Sequence, residues 1–170
     1  MRWLLALLIT CGTAMAEERA LETEWEFVAD TVMGGVSTGA VRTLLLDGQE
    51  ASRLTGDVSL ENNGGFVQMA TDIVVPDAPE WTGVRLELAG NGEAYDIRLR
   101  TSDLARPWHS YRTEIIVGPG WQSYDLPFTS FEMHRTDIPL NLDRVTRIGI
   151  VAIGREFQAD VSVAGIALYR

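Results

Sequence analysis

An all-β fold, an antiparallel β-sandwich of jelly-roll type, is what this sequence predicts. Three observations point there. Short segments alternate apolar and polar residues with a period of two. Glycine-rich turns separate those segments at strand-like spacing. No stretch of the chain sustains a helical period. With 170 residues the chain is long enough for one domain with a substantial core. That domain is expected over residues 25–170.

In chain order, residues 1–16 read as a signal peptide. They have a short positive start, the apolar run WLLALLIT and the small-x-small site AMA. The run is too short to cross a bilayer as a mature helix, and no later run is long and apolar enough. The chain is therefore expected to be exported, to the periplasm or outside the cell. Its single cysteine, Cys11, lies inside this leader, so the mature fold is expected to carry no disulfide and to rest on its core. Residues 17–24 are expected as a flexible lead-in.

DTVMGGVS, from Asp30 to Ser37, reads as a turn, with Met33 as a plug in the core. RLTGDVSL sets Leu54, Gly56, Val58 and Leu60 on one face of a strand. LENNGGF, from Leu60 to Phe66, is a second Gly-Gly turn whose Asn62 and Asn63 tolerate the left-handed region. VRLEL and YDIRLRT alternate on either side of Asn91-Gly92 and together predict a hairpin. YRTEIIV alternates again and stops at Gly118-Pro119-Gly120. In WQSYDLPF the aromatic residues suit the core, and Pro127 ends the strand by withholding a ladder donor. Phe128 to Arg144 is the one long connection without strand character, with a helical turn near Leu142. RIGIVAIG is nearly continuous in apolar residues, as a strand covered on both faces would be. In DVSVAGIALYR the apolar phase slips at Ala164-Gly165, where a β-bulge allows it.

The chain carries 14 basic and 24 acidic residues, for a net charge of −10, and every basic residue is Arg. So acidic a chain repels nucleic acid and anionic lipid headgroups. The two histidines have no metal-ligand partner at strand or helix spacing. No nucleophile elbow, zinc-binding helix or phosphate-cradling loop occurs. These absences agree with a chain that is not an enzyme and needs no cofactor, although two glycosidase carboxylates have a spatial and not a sequential spacing and would leave no motif.

Candidate binding residues fall in three groups. Asp30, Glu61, Asn62 and Asn63 flank the glycine turns; Glu61 with Asp30 and Asn62 brings oxygens that would suit a structural calcium, and turn chemistry alone also explains them. Arg98, Arg100 and Arg112, with Arg85, Glu87, Asp96 and Glu114, occupy the polar phase of three strands. They form either a ladder of opposite charges or the wall of a groove for carboxylates and hydroxyls. Trp108, His109, Tyr111 and Trp121 offer stacking surface for a sugar ring.

DTVMGGVS followed by GDVSLENNGGF resembles the complex I intermediate-associated protein family, the thirty-kilodalton assembly-factor type. YDIRLRT, SYRTEI, WQSYDLPF and RIGIVAIG follow in that family's order, so the likeness runs from Trp25 to Tyr169. The resemblance implies a galactose-binding-like jelly roll. It also implies a non-catalytic role, because the best-known members help assemble mitochondrial complex I by binding proteins. The leader departs from those members, so the family name transfers more safely than the assembly role. The expected partner is a protein of the envelope or of a respiratory-type complex. A carbohydrate-binding module on the same scaffold is the alternative, and a glycoside-processing enzyme is a third reading.

Overall fold

The computed structural model describes residues 17–170; the expected leader, with Cys11, lies outside them. Twelve strands form two antiparallel sheets: β1 (Glu18–Ala20), β2 (Glu26–Ala29), β3 (Thr38–Leu46), β4 (Gln49–Val58), β5 (Phe66–Asp72), β6 (Gly83–Gly90), β7 (Glu93–Thr101), β8 (Ser110–Val117), β9 (Gln122–Pro127), β10 (Glu132–His134), β11 (Val145–Ile153) and β12 (Phe157–Tyr169). The first sheet runs β3-β4-β12-β6-β9, with β1 beside the second half of β12. The second runs β10-β8-β7-β11-β5-β2. The only helical elements among the described residues are single 3₁₀ turns, and none is long and apolar enough to cross a membrane.

The inward residues of both sheets make one core. Leu54, Val67, Met69, Leu86, Leu88, Ile97, Leu99, Ile148, Ile150 and Leu168 are among its fully buried members. β11 lies between β5 and β7, and its residues from Ile148 to Ala152 are buried on both faces, as the continuous apolar run predicted. The phase slip in β12 is a β-bulge. Its register against β6 shifts between Val163 and Gly165, which returns Ile166 and Leu168 to the core. The turn near Leu142 is a 3₁₀ turn capped by the Asn141 side chain, which accepts from the Asp143 amide.

Several expectations give way to the tertiary arrangement. Gly83–Gly90 and Glu93–Thr101 do not pair as a hairpin. β6 belongs to the first sheet, between β12 and β9, and β7 to the second, between β8 and β11. The Asn91-Gly92 turn carries the chain from one sheet to the other, and local alternation looks the same in either case. Glu18–Ala20, read as lead-in, pairs with β12 from Ala167 to Tyr169. The long connection contains β10, which pairs with β8. Leu60 falls beyond the end of β4 and is exposed, as is Met33, which is no core plug.

One polar latch joins the sheets. Tyr95 on β7 points inward, and its hydroxyl donates to Asn91 Oδ1 at 2.8 Å and accepts from the Asp160 amide on β12 at 2.9 Å. Asn91 Nδ2 in turn donates to the Gln158 carbonyl at 2.8 Å. Burial pushes the Tyr95 phenol up to about 12.

Candidate functional site

The two glycine turns close on one carboxylate. β2 ends at Ala29 and runs straight into a 3₁₀ turn, Asp30–Met33, whose first side chain is wholly buried. Asp30 Oδ1 accepts the Ser37 amide at 3.0 Å. Its Oδ2 accepts the Ser37 hydroxyl and, from the second turn, the amides of Gly65 at 2.6 Å and Phe66 at 3.3 Å. The Ser37 oxygen also accepts the Ser59 amide at 2.9 Å, so the first turn grips the second at two points. Burial works to raise the Asp30 pKa. The hydrogen bonds from Ser37, Gly65 and Phe66 together outweigh it and hold the carboxyl below its ordinary value.

This geometry explains the glycines. A Cβ on Gly35 would lie 2.3 Å from Asp30 Cγ, and one on Gly64 would lie 2.4 Å from Asp30 Oδ2. Asn62 and Asn63, both at φ 56°, bend the second turn as their residue type predicted. Asp30 does not join Glu61 and Asn62 as a set of cation ligands. Its oxygens are occupied by donors, the wrong polarity for a metal neighbour, while Glu61 is exposed. Among the described residues no group of three or more His, Cys, Asp or Glu is arranged to hold a metal ion.

The locked turns hold apolar side chains out in water. Val32 is 72% exposed and Met33 63%; Val36 in the same turn and Leu60 at the start of the second turn are also exposed. Residue type gave no warning of this, because valine and methionine near a turn read as core.

The arginines sit elsewhere. Arg98 and Arg112 are register partners on the outward face of β7 and β8, with Glu132 of β10 next in the same row. Both reach Asp96, a largely buried carboxylate, at 2.8 and 3.5 Å. His134 lies close by. Burial, then the repulsion of Arg98, Arg112 and Arg135, lowers its pKa. The register sets like charges opposite each other here, Arg98 against Arg112 and Asp96 against Glu114, so the expected ladder of opposite charges across strands does not form on this face; the attractive contacts run along β7 and diagonally to β8. Arg85 and Glu87 lie in the other sheet, where Arg85 pairs with Asp125 and Glu18. Arg100 donates to the carbonyls of Arg106 and Pro107 and pins the loop before β8.

The expected aromatic platform does not assemble. Tyr111 is a core residue whose hydroxyl donates to the Pro139 carbonyl, and Trp108 stands exposed under the Arg106 guanidinium. Trp121 is half-buried in the turn between β8 and β9, its Nε1 covered and without an acceptor. A different aromatic, Trp25, lines a surface cavity of about 600 Å³ with Glu22, Glu24, Glu26, Asp72 and Arg147. The eight candidate residues thus occupy separate places: the locked turns, the outward face of the second sheet, and the β8–β9 turn.

Comparisons with known proteins agree on the scaffold. The profile described as complex I intermediate-associated protein 30 matches residues 15–162. No curated protein matches by sequence. Among solved structures, the family 11 carbohydrate-binding module from Clostridium thermocellum, in complex with a β-1,3-1,4-mixed-linked tetrasaccharide, superposes with a TM-score of 0.68 at 15% identity, covering 92% of this chain and 96% of that one. The family 11 module of a cellulosomal cellulase of Clostridium thermocellum gives 0.70 at 13% identity, over 91% and 95% of the chains. A family 30 module from the same organism gives 0.55 at 14% identity, over 89% and 92%. At these identities the structural likeness establishes the jelly-roll fold, while the profile match spans most of the sequence. The chain belongs to the complex I intermediate-associated protein 30 family.

Proposed function

We propose that the chain is an exported, non-catalytic binding protein that docks onto another protein through the apolar side chains on its two locked turns. The observation that carries this reading is the exposure of Val32, Met33, Val36 and Leu60 on a rigid support. Exposed apolar groups on a mobile loop collapse onto the body. Here a buried carboxylate with four donors fixes the backbone that displays them, so the surface is ready-made for a partner. Asp57 near the end of β4, Glu61 in the second turn and Glu156 just before β12, whose Phe157 pairs with Val58, are all exposed. The fitting partner therefore presents an apolar patch with a basic rim, on a protein of the envelope or of a respiratory-type complex. The role needs no cofactor.

The test is capture from the envelope fraction of the cells that make the protein, with mass spectrometry of what is retained. Val32→Asp and Met33→Asp leave the Asp30 network intact and are expected to remove the specific partner. Retention of the same proteins by both variants would overturn the reading.

A carbohydrate ligand is the second reading, supported by the Trp25 cavity. An indole wall beside carboxylates and a guanidinium suits a sugar ring and its hydroxyls. Glycan-array binding that is lost in Trp25→Ala but kept in Met33→Asp would favour it.

A further inference from the structure

We propose that β3 is the docking edge for a second copy of this chain, paired antiparallel about a two-fold axis through Thr43. This surface is separate from the glycine turns, and the inference does not depend on the function proposed above. β3 is the outermost strand of the first sheet and pairs with β4 alone. The hairpin closes through Asp47 and Gly48, both at positive φ, as a two-residue type I′ turn requires. Such a turn makes Leu46–Gln49 a hydrogen-bonded pair, and with it Leu44–Ala51, Arg42–Arg53 and Ala40–Thr55. Gly39, Val41, Thr43 and Leu45 therefore aim their N–H and C=O groups away from β4. Among the described residues nothing outside the β3–β4 ladder bonds to them. A row of alternating donors and acceptors is met by another strand.

The other edges are guarded. β9 ends in Pro127, and β1, β2 and β10 have only three or four residues each. β3 has nine residues, no proline and a single charge, Arg42. On a chain of net charge −10, this strand is where two copies approach with the least repulsion.

The pattern along β3 fits its own reverse. Val41 packs against the core, whereas Leu45, in the same phase, lies past it and is 74% exposed. Antiparallel pairing about Thr43 sets Val41 of one copy opposite Leu45 of the other, twice. Each stranded leucine then gains an apolar neighbour continuous with the other core. Thr43 meets Thr43 of the other copy. Arg42 falls opposite Leu44 and not opposite its own counterpart, so no like charges lie directly across the pair. The contact is isologous and closes at two copies, joining the first sheets into one.

Sedimentation velocity tests this on the protein purified from the cells that make it, at about 100 µM, above the dissociation constant expected of a small interface. A reversible dimer is expected, more populated at high salt because screening relieves the acidic repulsion. Thr43→Pro removes only an outward N–H, and Leu45→Lys alters an exposed side chain. Both are expected to be monomeric, with unchanged circular dichroism. If Thr43→Pro fails to fold, Leu45→Lys carries the test. With Cys11→Ala as background, Thr43→Cys is expected to form an interchain disulfide and Leu46→Cys, whose counterpart lies several residues away, is not. A monomeric wild type at both salts, a dimer that survives both variants, or equal cross-linking at 43 and 46 would each refute the proposal.

Discussion

The Oδ2 of Asp30 accepts the main-chain amide of Gly65 at 2.6 Å, although the two residues lie 35 positions apart. That bond, with those to Ser37 and Phe66, makes two turns into one rigid corner. Each partner is a fixed main-chain amide or a buried hydroxyl, so losing the carboxylate strands several donors at once. Asp30→Asn retains the shape but places an amide against N–H groups. It is expected to cost about 3 kcal/mol or more, read as a lower urea midpoint at constant slope.

The same carboxylate sets an acid limit. Its folded pKa lies below the ordinary value of 3.8, so its contribution is fully present above that value. It fades as pH falls below 3.8 and through the lowered folded value. Urea midpoints of the wild type are expected to drop over that window. Those of Asp30→Asn should lack this component; an equally steep decline in the variant would place the acid sensitivity elsewhere.

Gly35→Ala and Gly64→Ala each push a methyl group into the Asp30 side chain. Each is expected to destabilise by about 2 kcal/mol or more, since the neighbour is held by its hydrogen bonds and cannot swing away. Removing the obstacle should relieve the clash. The double variants with Asp30→Ala are therefore expected to lose less than the sum of the single changes, and a thermodynamic cycle measures the difference. Simple additivity would mean the glycines serve another purpose.

Tyr95→Phe removes the hydroxyl that joins β7 to β12 and leaves the Asp160 amide and Asn91 without it. The ring and its edge-on contact with Phe157 remain. A loss of about 1–3 kcal/mol is expected. Amide exchange should quicken first at Asp160, the site that loses its acceptor, ahead of the core of the second sheet.

His134 works in the opposite sense from a stabilising cation. Burial and the guanidinium groups of Arg98, Arg112 and Arg135 favour its neutral form, so its folded pKa is below 6.5. Below 6.5 the unfolded chain binds the proton more readily, and stability declines as pH falls from 6.5 to the folded value. His134→Gln is expected to flatten that part of the profile. Arg112→Ala is expected to raise the His134 pKa in an NMR titration, and no movement would separate the two groups electrostatically.

The sequence by itself determined many of the strands, though not β1, β2, β3 or β10, and the register slip at Gly165, because period-two alternation, turn residues and a broken apolar phase are local consequences of how a strand packs against one core. It also marked Asp30, Asn62 and Asn63 as turn formers. Only the tertiary structure decided which strands share a sheet, because β6 and β7 present the same alternation whether they pair with each other or with partners far along the chain. It alone showed that the two glycine turns meet on one buried carboxylate, which requires β2 and β5 to lie side by side. It alone turned Met33 out into solvent, since burial is a property of what surrounds a residue and not of its side chain.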